Sequence, residues 1–134
     1  MKTSLVTRFL LILAWAAFGL IAYGTLTRAQ FVYAIYGRVK PFLFGAGPQT
    51  WAHVEHVTAY ATAGILFALA YPRRPWLACA IVAGGAVAFE YLQTFTPDRH
   101  GTLIDATEKI VAGCLGVGVT SLLRLASSRC FPRS

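Results

Sequence analysis

The sequence predicts an all-α, polytopic membrane protein folded as an antiparallel bundle of four transmembrane helices. Hydrophobic residues make up 57% of the 134-residue chain and charged residues only 13%, far from the balance of a soluble domain. A helix needs about 20 mostly apolar residues to cross a bilayer. The chain offers four such runs, at about residues 9–26, 51–71, 76–95 and 103–125. Because these runs use most of the length, residues 1–134 are predicted to form a single transmembrane domain.

The first run follows Lys2 and Arg8, as the apolar part of a signal peptide would. It is longer than the roughly 7–15 apolar residues of a signal peptide and lacks a small-residue cleavage site, so we interpret it as an uncleaved signal anchor. Residues 28–50 then mix aromatic side chains with cations, prolines and glycines, which is typical of the membrane–water boundary. Within them, residues 29–39 are predicted to form a short interfacial helix that ends near Pro41.

Tight turns are predicted between the last three runs. Residues 72–75 read Pro-Arg-Arg-Pro and residues 96–101 read Thr-Pro-Asp-Arg-His-Gly, both rich in residues that favour turns. Connections this short make neighbouring helices antiparallel.

The distribution of cations predicts the orientation in the membrane. Leaving out Lys109, which lies inside the fourth run, seven lysines and arginines fall on one side and four on the other. The seven are Lys2, Arg8, Arg73, Arg74, Arg124, Arg129 and Arg133, and the four are Arg28, Arg38, Lys40 and Arg99. Because cytoplasmic loops carry the excess of Lys and Arg, both termini are predicted to be cytoplasmic. The net charge of +7 is explained by the same cations, which set the topology and contact lipid headgroups. We therefore predict no nucleic-acid partner.

Every acidic residue and every histidine falls near the outer ends of the predicted helices. They are His53, Glu55, His56, Glu90, Asp98, His100, Asp105 and Glu108. An ionisable group inside a membrane helix costs about 2.5–3.5 kcal/mol, so such groups on neighbouring helices are expected to share a polar cavity. Glu90 ends its helix, where a carboxylate opposes the dipole and is expected to pair with a cation such as Arg99 or Lys109. Asp98, His100 and Glu108 are interpreted as ordinary interfacial or capping residues.

The order and spacing of these polar residues resemble those of VanZ-like membrane proteins over about residues 51–118. The matching pattern is His56-x-x-x-Tyr60, Glu90-x-x-Gln93, Pro97-x-Arg99, Asp105 and Gly113-x-x-Gly116. Two positions depart from it. Ala52 stands where many members carry an acidic residue, and Lys109 stands where many carry an asparagine.

The resemblance implies a bacterial protein of the cytoplasmic membrane, from a family named after a glycopeptide (teicoplanin) resistance gene. It implies a shared site that consists of His56, Tyr60, Glu90, Gln93, Arg99 and Asp105, to which we add Lys109. The expected function is binding or handling of an anionic, lipid-linked molecule of the cell envelope at the outer leaflet. Arg99 and Lys109 would hold its phosphate or carboxylate, since arginine bonds such groups bidentately.

Two other functions fit the same residues. One is a membrane hydrolase or transferase acting on such a lipid, with His56 or Glu90 as general base and Asp105 as the orienting group. No nucleophile motif accompanies these residues, so whether the protein is an enzyme stays open. The other is a small accessory subunit, in which glycine and alanine faces contact a partner helix of the same or another chain. On the third helix, the stripe Ala80-x-x-x-Gly84-x-x-x-Ala88 is predicted to be the contact face.

No cofactor and no metal site is predicted. A zinc site would have to combine His53 and His56 with Glu90 or Asp105, and two histidines at an interface are more often simply solvated. The three cysteines form no metal-binding or disulfide pattern.

Overall fold

A computed structural model describes residues 4–27, 38, 48–95 and 102–130. Within these ranges the chain forms four helices and no strand. They are α1 (Leu5–Leu26), α2 (Pro48–Ala70), α3 (Pro75–Gln93) and α4 (Leu103–Cys130). Each contains most of one predicted span, so the all-helical fold and its element order are confirmed. The predicted interfacial helix at residues 29–39 falls outside the described residues except for Arg38, and the predicted turn at residues 96–101 falls outside them entirely.

Three of the four helices are long and apolar enough to cross a membrane: α1, α3 and residues Leu103–Arg129 of α4. Helix α2 has 23 residues, which is enough length, but its first half carries His53, Glu55 and His56. Helix α2 is not among the candidate spans. Large apolar side chains cover the outside of the bundle, as expected of a surface that faces lipid rather than water.

The helices alternate in direction. At one end, Gln93 Nε2 of α3 donates a hydrogen bond to the carbonyl oxygen of Thr25 in α1 over 3.2 Å. At the opposite end, Trp15 Nε1 of α1 donates to the hydroxyl of Tyr71 over 3.4 Å, just beyond α2. The short connection from α2 to α3 is a turn closed by a 3.0 Å bond from the Arg74 amide to the Tyr71 carbonyl oxygen. The predicted antiparallel order is therefore confirmed for the described helices.

The closest helix contact joins α2 to α4 and depends on glycine. A Cβ atom on Gly64 would overlap the carbonyl oxygen of Gly113, and a Cβ on Gly116 would overlap that of Ala61. Small residues let two backbones meet directly, which is how helices associate where lipid removes the hydrophobic drive between them. This contact brings the polar first turns of α2 and α4 together.

The predicted contact stripe on α3 makes no contact with another helix in the described part of the chain. Ala80, Gly84 and Ala88 are exposed, and nothing lies within 4 Å of a Cβ built on Gly84. The buried row is instead Ala78, Val82, Ala86, Glu90 and, one turn on, Gln93. The polar pair at the end of α3 decides this rotation, because a carboxylate and an amide are costly in lipid and must point into the bundle.

Candidate functional site

Polar side chains lie together on α2 between its start and its middle, in the last turn of α3 and in the first two turns of α4. We call this group the polar layer; its members are His53, His56, Tyr60, Glu90, Gln93, Asp105, Glu108 and Lys109. The predicted gathering of acidic and histidine side chains at one end is confirmed for the residues that the structure describes. Arg99, Asp98 and His100 lie outside them.

A buried ion pair between Glu90 and Lys109 forms the centre of the polar layer. Glu90 is 6% exposed and Lys109 is fully buried. One carboxylate oxygen of Glu90 accepts a hydrogen bond from Lys109 Nζ, and the other accepts one from the backbone N–H of Thr102 over 3.0 Å. The expected cation for Glu90 is thus Lys109. Because each charge compensates the other, Lys109 has little charge left with which to hold an anionic ligand.

Tyr60 and His56 lie on the α2 face that points toward this ion pair. Lys109 Nζ is 5.9 Å from the centre of the Tyr60 ring, and the Tyr60 side chain is only 1% exposed. The Tyr60 hydroxyl and the Nδ1 atom of half-buried His56 are buried and have no hydrogen-bond partner among the described residues. A buried polar group without a partner costs about 1–3 kcal/mol and is unusual in a folded protein. Both atoms can bond a group that enters the polar layer.

Two of the predicted site residues serve contacts between or within helices. Gln93 donates to the Thr25 carbonyl oxygen and so ties α3 to α1. Asp105 accepts a 2.7 Å hydrogen bond from the Thr102 hydroxyl, while its own amide donates to that hydroxyl over 3.1 Å. Of the seven predicted site residues, Tyr60, Glu90 and Lys109 therefore converge, with His56 beside them, whereas Gln93 and Asp105 are engaged elsewhere.

Thr102 is a site residue that the sequence analysis missed. It caps α4 in a reciprocal arrangement with Asp105 and also fixes Glu90 through its amide. The signal was present, because a threonine three residues before an acidic residue at a helix start is the pattern of a capping box.

A second group of polar side chains lies toward the outside, between α2 and α4. His53 Nδ1 is 2.7 Å from Glu108 Oε2, and ligand atoms of His53, Asp105 and Glu108 all lie within 4.8 Å of one another. The metal variant considered from the sequence combined His53 and His56 with Glu90 or Asp105, whereas the structure groups His53 with Asp105 and Glu108 of α4. Glu108, interpreted from sequence as an ordinary helix-end residue, contacts His53 directly.

His53 and Glu108 also form the polar end of a groove of about 390 Å³ on the same side of the bundle. Its remaining walls are mainly apolar, formed by Val57, Val111, Ala112 and Leu115 with Thr107. A groove with one polar end and a long apolar wall suits an amphiphile such as a lipid.

No protein-family model matches the chain, and no curated protein or solved structure is significantly similar to it. The likeness to VanZ-like proteins rests on the motif residues and spacings given above.

Proposed function

We propose that this chain is a VanZ-like protein of the bacterial cytoplasmic membrane that binds the polar headgroup of an anionic, lipid-linked envelope molecule in the polar layer. The observation that carries the proposal is the buried Tyr60 hydroxyl without a partner among the described residues. It lies beside the Glu90–Lys109 pair, where three helices meet.

Tyr60 is informative because phenylalanine would fill the same space without the cost of a buried hydroxyl. A residue selected only for packing would gain nothing from that oxygen. A headgroup hydroxyl or phosphate oxygen would bond it, and His56 Nδ1, one turn earlier, would bond a second atom of the same headgroup. Sugar and phosphate groups present many such atoms.

The anionic part of the ligand is assigned to Arg99. Lys109, named with Arg99 from the sequence, is paired with Glu90. Arg99 belongs to the connection between α3 and α4, which begins directly after Gln93 and ends at Thr102, whose amide bonds Glu90. Arginine suits a phosphate because its planar guanidinium forms two parallel hydrogen bonds with it.

The proposal includes four membrane spans with the polar layer at the outer face. Helix α2 is long enough to cross, and its polar residue Tyr60 points into the bundle rather than into lipid. The excess of cations at the opposite side supports cytoplasmic termini. Because the chain resembles VanZ-like proteins, we extend the proposal to a role in glycopeptide resistance.

Native mass spectrometry of the detergent-purified chain tests the binding function. The probes are a polyprenyl phosphate, phosphatidylglycerol and uncharged diacylglycerol. We expect the polyprenyl phosphate to bind best, and Arg99→Ala to weaken its binding at least tenfold. Arg73→Ala is the matched control, because Arg73 is an exposed arginine in the turn at the opposite end. Equal binding of all three lipids, or equal loss in both variants, would contradict the proposal.

A catalytic role is the second candidate, and the position of His56 favours that residue over Glu90 as the base. Glu90 already accepts hydrogen bonds from Lys109 and Thr102, whereas His56 Nδ1 has no partner among the described residues. His56 would activate water for hydrolysis of the lipid headgroup. Release of phosphate from a polyprenyl diphosphate by wild-type protein, abolished in His56→Gln, would support this role. No turnover by folded wild-type protein would exclude it for that substrate.

A further inference from the structure

His53, Asp105 and Glu108 bring three metal-ligating side chains together from two different helices. Their ligand atoms lie within 4.8 Å of one another, and His53 Nδ1 and Glu108 Oε2 are separated by 2.7 Å. The His53 and Glu108 side chains are 49% and 33% exposed, so an ion could reach them and the side chains could adjust. The α2–α4 glycine contact fixes the two helices that carry them.

We propose that these three side chains bind one divalent transition-metal ion, Zn²⁺ or Mn²⁺. The donor set is one imidazole nitrogen and two carboxylate oxygens, which suits these ions better than Mg²⁺ because of the nitrogen. Ligand atoms bound to zinc lie about 2 Å from the ion. A rotation of the exposed His53 and Glu108 side chains would bring all three ligands to that distance. Three protein ligands leave at least one coordination position for water or another oxygen.

The charges at this end of the bundle support a cation. Lys109 compensates Glu90, whereas the carboxylates of Asp105 and Glu108 lie beside the half-exposed His53. Two carboxylates held this close repel each other, and a divalent ion between them removes the repulsion.

Thr102 orients the proposed ligand Asp105. Its hydroxyl donates to Asp105 Oδ2 over 2.7 Å, which fixes the carboxylate and leaves lone pairs for a metal. Hydrogen bonds of this kind from a neighbouring residue commonly orient metal ligands. The capping role of Asp105 and the proposed ligand role are therefore compatible.

The position of the cluster links the ion to the groove. His53 and Glu108 form the polar end of the 390 Å³ groove, and its apolar walls run along α2 and α4. An ion there would contact the anionic headgroup of a lipid whose chain lies in the groove. This last step rests on the proposed function, whereas metal binding does not.

Metal binding is tested on the full chain in detergent after removal of ions with a chelator. We titrate Zn²⁺ alone and Mn²⁺ alone by calorimetry and count the retained ions by elemental analysis. We expect one ion per chain, with affinity reduced at least tenfold in His53→Gln and in Glu108→Gln. Glu55→Gln is the matched control, since it removes the same charge from the first half of α2 outside the cluster. Thermal unfolding of each variant confirms that it is folded.

The proposal is overturned if folded protein retains no stoichiometric ion, or if Glu55→Gln weakens binding as much as Glu108→Gln. Binding that is equally strong for Mg²⁺ and unaffected by His53→Gln would also overturn it. A second arm measures polyprenyl phosphate binding with and without the ion, and we expect the ion to strengthen it at least fivefold. Lipid binding without any ion binding contradicts this inference alone. Ion binding without any lipid binding contradicts the proposed function alone.

Discussion

At the scale of single residues, the polar end of the bundle depends on one buried charge pair. Glu90 and Lys109 are almost fully buried and bond each other, and the Thr102 amide donates a hydrogen bond to the second carboxylate oxygen of Glu90. A buried ion pair contributes little net stability compared with apolar residues, but an isolated buried charge is costly. The two residues therefore depend on each other.

Replacing only one member of the pair is expected to destabilise the protein. Lys109→Met leaves Glu90 buried without its cation and should lower the free energy of unfolding by about 3–5 kcal/mol. The double variant Glu90→Gln with Lys109→Met should recover most of that loss. Denaturant unfolding in detergent measures the free energy of unfolding of each variant, with Arg73→Met as an exposed control. A double variant as unstable as the sum of the single variants would show that the residues are not coupled.

The sequence predicted the partner of Glu90 only as one of two cations. The helix dipole explains why a carboxylate at the end of α3 needs a cation. Which cation bonds it depends on the rotation of α4, which places Lys109 inside the bundle. The hydrogen bonds of Gln93 with Thr25 and of His53 with Glu108 join different helices. They also depend on helix rotation and could not be predicted from spacing along one helix.

At the scale of elements, the α2–α4 contact brings the two helices that carry most of the polar layer together. Gly64 and Gly113 meet there through their backbones. Glycine is less favourable than alanine in a helix by about 1 kcal/mol, so its use here is explained by the close approach.

Alanine at two glycines should have opposite effects. A Cβ on Gly64 would overlap the Gly113 carbonyl oxygen and lie 3.2 Å from the Val117 amide nitrogen, both backbone atoms that cannot move aside cheaply. Gly64→Ala should lower stability by about 1–3 kcal/mol. Gly84→Ala, where nothing lies within 4 Å, should be neutral or stabilising by up to about 1 kcal/mol. Thermal unfolding in detergent compares them. Equal midpoints would contradict the described helix packing.

Helix positions were predictable from the sequence, but helix faces were not. Runs of apolar residues bounded by proline turns located all four helices to within a few residues. The contact stripe on α3 was placed on Gly84, although the row through Val82 and Glu90 is the buried one. In a membrane helix nearly all side chains are apolar, so periodicity is weak, and the few polar residues mark the interior better than the small ones do.

At the scale of the whole molecule, the proposed function requires four membrane spans and a polar layer that faces outward. Length and hydropathy identify α1, α3 and α4 as candidate spans, whereas α2 carries ionisable residues in its first half. Composition therefore predicted the class of protein. The span count depends on whether the polar residues of α2 are shielded by α3 and α4, as Tyr60 is.

Cysteine labelling tests this topology. In a variant with the native cysteines Cys79, Cys114 and Cys130 replaced by alanine, we introduce Leu103→Cys at the polar end or Arg73→Cys at the other. Both positions are exposed. A membrane-impermeant maleimide should label the first in intact cells and the second only after permeabilisation. The reverse pattern would invert the topology, and labelling of both positions in intact cells would contradict the crossing of the membrane by α3, which lies between them.

The central claim is that the Tyr60 hydroxyl is kept for a ligand, and Tyr60→Phe tests it most directly. The control is Tyr91→Phe, because Tyr91 is 64% exposed on the outer face of α3. Two quantities are measured in each variant: the free energy of unfolding without lipid and the affinity for polyprenyl phosphate. We expect Tyr60→Phe to leave stability unchanged or slightly higher, since none of the described residues bonds the Tyr60 hydroxyl, and to weaken lipid binding at least fivefold relative to Tyr91→Phe. Unchanged lipid affinity together with a stability loss above about 1 kcal/mol would contradict the account, because the hydroxyl would then serve the fold.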